Sequence, residues 1–167
     1  MASPAYKKYD FNQFLDTARE MNIREPPDVV IFCELIYGAA ITCLKKFFLR
    51  DVFKIFITSH KANIDLMDVV IKSFTDSTNS GKLSKAWAHA QNCHTNFYEL
   101  KNMKKKLKQN ILKSVSEMNN IIKKADIDMI NNNLKPFLKQ MEKLPTKKTV
   151  TIGNESFEYN KTASWYN

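Results

Sequence analysis

From Val29 to Ile57 the chain reads VVIFCELIYGAAITCLKKFFLRDVFKIFI, apolar on every side of a helix rather than along one stripe. Such a segment has to be covered by the rest of the protein, a partner or a bilayer. The pattern predicts a central helix from Val29 to about Arg50, with Gly38, Ala39 and Ala40 as a narrow waist where a neighbour can approach. A buried strand competes for the β-branched start of this run, but no turn signal appears before Arg50-Asp51, and length decides for helix. Ahead of it, Asp10 caps a short helix over Phe11 to Asn22 with Phe11, Phe14, Leu15 and Ala18 on one face. Glu25-Pro26-Pro27-Asp28 breaks the chain, and Asp28 caps the central helix. Val52 to His60 reads as a third helical segment and Asn63 to Ser77 as a fourth, with Ile64, Met67, Val70, Ile71 and Phe74 aligned. Residues 76–81, DSTNSG, read as a loop.

From Leu83 the spacing predicts one long helix reaching about Asn133, with an apolar stripe through Ala90, Cys93, Phe97, Leu100, Leu107, Ile111, Val115, Met118, Ile122, Ala125 and Met129. The steps from Leu107 to Met129 lie nearer an eleven-residue repeat than a heptad, which keeps a helix nearly straight. Lys101, Lys105, Lys106, Lys108, Lys113, Lys123 and Lys124 fall off the stripe and form a basic back. Pro136 marks a kink or a new start, with Phe137, Met141 and Leu144 at helical spacing before Pro145 ends the segment. The period then changes to two: Thr149 to Ile152, a Gly153-Asn154 turn, and Glu155 to Tyr159 predict a hairpin in which Val150 faces Phe157. Trp165 and Tyr166 stand ready to dock it. The expected fold is mainly α, a helical bundle around the central apolar helix with one long amphipathic helix and a C-terminal β-hairpin. Residues 1–144 form the bundle domain and residues 145–167 the hairpin and aromatic tail.

Composition narrows the function. A chain of 167 residues is enough for one well-cored domain. Three glycines are too few for a turn-dense β fold or a phosphate-cradling loop. The net charge of +9 is concentrated: residues 1–81 are balanced, and residues 82–143 carry +8. Only Arg19, Arg24 and Arg50 are arginines, so the cations are mainly strongly hydrated point charges rather than forks suited to base and phosphate recognition. A nucleic-acid footprint over Lys101, Lys105, Lys106, Lys108 and Lys113 is an alternative reading of that face, with a solvated helix back weighing more. Membrane association through Val29–Leu49 is a weaker alternative, because the apolar run is short for a span and holds Glu34 near its middle. An odd number of cysteines and a polar, aromatic N-terminal stretch without signal-peptide character point to free thiols in the cytoplasm or nucleus.

Chemistry-bearing patterns are sparse. His89 and Cys93 lie four apart on one helical face, but a structural zinc site needs four ligands, and Cys33, Cys43 and His60 supply no paired spacing. Asp126-Ile127-Asp128 opens like a calcium loop and then lacks its glycine and closing glutamate. No nucleophile sits in a recognisable elbow. The reading is therefore non-enzymatic, without metal or cofactor: an interaction or assembly protein. Leu107, Ile111, Val115, Met118 and Ile122 are the candidate seam for self-association, and Phe157, Tyr159, Trp165 and Tyr166 are the candidate surface for a protein partner.

Overall fold

Helix α1 (Phe11–Ile23) begins where expected, with the Asp10 carboxylate accepting the Gln13 N–H at 2.8 Å. Helix α2 (Val29–Phe48) starts in the same way at Asp28, which accepts from Ile31 N–H at 3.0 Å. A computed structural model describes residues 5–166; residues 1–4 and 167, the ends of the two expected domains, lie outside the described residues. Between residues 29 and 49 only Ile31 is exposed, because α1, α4 (Ser77–Glu99), α5 (Lys105–Ser116), α6 (Met118–Ile122) and β1 (Ile55–Ile57) surround α2. The waist at Gly38 takes the Phe14 ring of α1 so closely that an added Cβ would stand 2.6 Å from Phe14 Cε1. The architecture is mainly α with a C-terminal hairpin, as the pattern predicts. Among the described residues no helix is long and apolar enough to cross a membrane.

Three local expectations are corrected. Val52 to His60 is not helical: after Lys54, which adopts a left-handed φ of 55°, Ile55–Ile57 forms strand β1 with Ile55 and Ile57 buried. Its partner lies about a hundred residues downstream, so nothing local announces it. Helix α3 therefore starts earlier than expected, spanning His60–Ile71 with Ser59 Oγ accepting the Ala62 N–H. The stretch read as a loop at residues 76–81 is instead the cap and first turn of α4: Asp76 accepts Asn79 N–H at 2.7 Å. Asp, Ser and Asn favour turns and helix N-termini by the same side-chain-to-backbone bonding, so composition alone did not separate the two.

The predicted long helix is four pieces, α4, α5, α6 and α7 (Ile127–Leu134). No glycine or proline makes the first break. Leu100 takes the left-handed conformation (φ 58°, ψ 29°) after its N–H bonds to Asn96 O at 2.9 Å, and Asn96 Nδ2 donates to Lys101 O at 2.8 Å. This is a C-terminal cap made with leucine in place of glycine, held by the neighbouring asparagine. The later breaks let the stripe fold back on the core instead of running past it. Ile111, Val115, Met118, Ile122 and Ala125 are buried, whereas Leu107 and Met129 are 41% exposed.

A 3-10 segment (Lys135–Gln140) follows Leu134, and β2 (Glu142–Ile152) begins before Pro145 rather than after it. Strand β3 (Glu155–Ala163) lies in the middle of the sheet, antiparallel to β2 and parallel to β1. Val150 faces Phe157 across a two-residue Gly153-Asn154 turn, as predicted. The β2–β3 pairing is irregular between Lys143 and Lys148, where Pro145 has no N–H to give to the ladder.

Two substitutions test this account in urea unfolding. Leu100→Gly relieves a left-handed leucine that is largely exposed and is expected to raise stability by about 1 kcal/mol. Gly38→Ala gains about 1 kcal/mol of helix propensity but overpacks Phe14 at a cost of about 1–3 kcal/mol, so the net expectation is a loss.

Candidate functional site

A groove opens beside the C-terminal end of α2. Cys43, Lys46, Phe47 and Arg50 line one wall at successive turns of a single helical face. Asn119, Ile122 and Lys123 line the other from α6 and the residue after it, and Phe157 of β3 closes the end. The cavity measures about 340 Å³, and a shallower hollow at Arg50, Asp51, Val52 and Phe157 continues it over the surface. Its floor is apolar and its rim cationic. Arg50 lies 5.3 Å from the Phe47 ring centroid and Lys46 Nζ 6.0 Å from that of Phe157, both within cation–π range. Lys46 also pairs with Glu155 at 3.0 Å. Arg50 and Lys123 take part in no ion pair among the described residues.

Cys43 donates weakly to Asn119 Oδ1 across the floor at 3.9 Å. Burial pushes its thiol up to about 12 against the lowering influence of Lys123 and Lys46, so it is a neutral packing group at ordinary pH. The groove can therefore hold an apolar side chain against Phe47, Ile122 and Phe157 while offering positive charge at its edge. It presents no nucleophile or general base.

The candidate residues read from the sequence are dispersed by the structure. In the seam set, Ile111, Val115 and Met118 fill the chain's own core, Ile122 is buried with an edge on the groove, and Leu107 alone is substantially exposed. In the tail set, Phe157 lines the groove and Tyr159 packs half-buried against Phe56 with ring centroids 5.1 Å apart. Trp165 stacks on Phe137 at 5.5 Å, donates Nε1–H to Asp65 Oδ2 at 2.9 Å and accepts from Ser59 Oγ at 2.8 Å through its carbonyl. It latches the end of the chain to α3, and Tyr166 is left 82% exposed.

The basic set is also split. Lys105 and Lys106 are exposed, Lys101 sits in the loop before α5 paired with Glu99, and Lys113 joins Lys82 and Lys85 on a cleft between α4 and α5. Lys108, expected on the basic back, is turned inward and only 5% exposed.

Periodicity gave no signal for a second cluster, in which Tyr37 ties three helices together. Its hydroxyl shares a hydrogen bond with His60 Nδ1 at 3.0 Å, and its ring stacks on His94 at 4.0 Å. His94 Nδ1 faces Glu34 Oε2 at 3.4 Å. Burial first, then Glu34 and Tyr98, pushes the Tyr37 hydroxyl up to about 12. The His89–Cys93 pair does not converge: His89 Nδ1 bonds to Ser114 Oγ at 2.7 Å, and Cys93 is fully buried. Among the described residues no group of three or more His, Cys, Asp or Glu is placed to hold a metal ion.

Comparison of the chain with family models, curated proteins and solved structures finds no match.

Two measurements check this arrangement. An Asp65→Asn, Trp165→Phe double-mutant cycle keeps the aromatic stack and is expected to show a coupling of about 1 kcal/mol in unfolding free energy. The Cys43 thiol titrates near 9.0 unfolded and about 12 folded, so the folded state holds its proton through that window and loses stability as pH rises. The slope approaches about 1.4 kcal/mol per pH unit, and Cys43→Ala is expected to remove this part of the alkaline limb.

Proposed function

We propose that the chain is a non-enzymatic interaction protein that docks a short acidic segment of a partner protein in the groove at the end of α2. The observation that carries this reading is the convergence of Cys43, Phe47, Ile122 and Phe157 on an apolar floor beneath Lys46, Arg50 and Lys123. An apolar anchor shielded by a polar rim is the arrangement that concentrates binding energy in protein interfaces. Three cations on that rim select an anionic partner by charge complementarity and raise its encounter rate. Its size, about 340 Å³, suits one aromatic or branched side chain with flanking backbone. Glu155, held by Lys46, and Asp51, at the outer hollow, temper the rim, so Arg50 and Lys123 supply its uncompensated charge.

A labelled peptide carrying one tryptophan flanked by aspartates tests the proposal by fluorescence anisotropy. Lys123→Glu and Phe157→Ala are each expected to weaken binding about tenfold, or 1.4 kcal/mol, while Lys105→Glu leaves it unchanged. Binding indifferent to both groove variants would overturn the reading. Capture of a single-stranded oligonucleotide that falls steeply with salt and is lost in a Lys105→Glu, Lys106→Glu variant would move the basic-surface alternative ahead of it.

A further inference from the structure

Strand β3 lies in the middle of the sheet, yet much of it has a neighbour on one side only. Toward β2 its register runs from Glu155 to Thr162, whereas toward β1 it covers Lys161, Thr162 and Ala163. Asn160 N–H still reaches Lys54 O at 3.1 Å, but Lys54 takes its left-handed φ of 55° there and turns the preceding chain away. Among the described residues no other backbone group pairs with Glu155–Tyr159 on that side. An open edge about 16 Å long is left in a central strand. Phe157, at its middle, lines both the groove and the hollow shared with Arg50, Asp51 and Val52. Unpaired edges are templates for an incoming strand. The outer edge of β2 is longer but guarded, because Pro145 has no N–H and Lys143, Lys147 and Lys148 stand exposed along it.

We infer that the acidic segment binds as an added β-strand on the open edge of β3 at Glu155–Tyr159, its anchor side chain in the groove and its acids two positions to either side of that anchor. Given the groove as the docking site of an acidic segment, on which this rests, the conformation and spacing of the segment follow from the sheet. Main-chain bonds to the edge supply affinity, and alternate side chains supply specificity.

Side chains of a strand alternate between the two faces of the sheet. Glu155 and Phe157 are on the groove face, since Lys46 pairs with the first and lies over the ring of the second. An incoming residue level with Phe157 on that face meets Phe47 and Ile122. Its neighbours two positions away meet Lys46, Arg50 and Lys123, where Asp51 is the opposing charge and Glu155 is already held. Residues in between fall on the other face, where Ser156 and Glu158 stand beside Thr151 and Thr149 of β2. Thr151 and Ser156 share a hydrogen bond of 3.0 Å there, as the alternation requires. Glu158 is exposed and joins no ion pair among the described residues, so an acid on this face meets a like charge.

The test uses the full chain with labelled peptides read by fluorescence anisotropy. One peptide carries a tryptophan with aspartates two positions away on each side and threonines between. Its isomer has the aspartates next to the tryptophan and is expected to bind about tenfold more weakly. N-methylation of the first peptide at one backbone nitrogen at a time is expected to cost about tenfold at alternate positions and little at those between, because a strand turns only every second N–H to one edge. In the complex, hydrogen exchange is expected to slow at amides within Ser156–Tyr159 that β2 does not hold, and not at the outward amides of β2. With binding still weakened by Lys123→Glu, three outcomes would each overturn the inference and leave the groove as the docking site: N-methylation tolerated everywhere, equal binding of the two isomers, or protection along the outer edge of β2. No binding of either isomer, or binding indifferent to both Lys123→Glu and Phe157→Ala, would overturn the docking site as well.

Discussion

A helix with apolar side chains around its whole circumference has to be covered from every direction at once, and α2 sets that requirement for the rest of the chain. No single neighbour meets it. Helix α1 folds back from the proline break onto the Gly38 waist, α4 covers a second flank, and β1 with α5 and α6 closes what remains. Each large side chain so buried contributes about 1.5–3 kcal/mol, and that gain is what offsets the left-handed leucine at 100 and the left-handed lysine at 54. Both distortions occur where the chain must turn sharply to return to α2.

The same requirement explains where the groove lies. At the C-terminal end of α2 the apolar side chains stay covered, and the half-buried Lys45 and Lys46 complement the carbonyl end of the helix dipole beside them. Lys45 lies over the Phe56 ring, 5.4 Å from its centroid, and Lys46 is stretched toward Glu155. With Arg50 one turn on, the helix end presents cations at the spacing where its inner face still presents Cys43 and Phe47. A basic-rimmed apolar groove is thus a direct product of ending an all-apolar helix in lysines beside a hairpin.

Much of the fold was legible because its signals are local. Asp10 and Asp28 as caps, the proline break, the α2 run and the Val150–Phe157 register all depend on residues within a few positions of one another. The illegible parts depend on distant partners or on residues acting outside their usual role. Ile55–Ile57 is a strand only because Lys161, Thr162 and Ala163 come back to it. The break at Leu100 is made by Asn96, with no glycine to mark it. Of the candidate site residues, Phe157 and Ile122 meet in the groove although they were read as parts of two separate surfaces, while Arg50 was read only as a turn signal after the apolar run and Lys123 only as part of a basic helix back.

Helical periodicity states that a stripe needs an apolar neighbour; it does not state whose. Leu107, Ile111, Val115, Met118 and Ile122 satisfy a straight-helix pattern equally well as a dimer seam or as an inner lining, because both environments ask for the same side chains at the same spacing. Chain geometry decides between them. A continuous helix over this stretch would carry its last turns away from a bundle centred on α2, leaving the stripe to a partner. Interruption at residues 100–104 and again around residues 117 and 123–126 shortens each piece to a length that lies across the core, and the stripe is consumed internally. The price is that Lys108, on the back of a straight helix, is carried inward as well. Its burial is thus a consequence of the same fold-back that removed the seam from the surface.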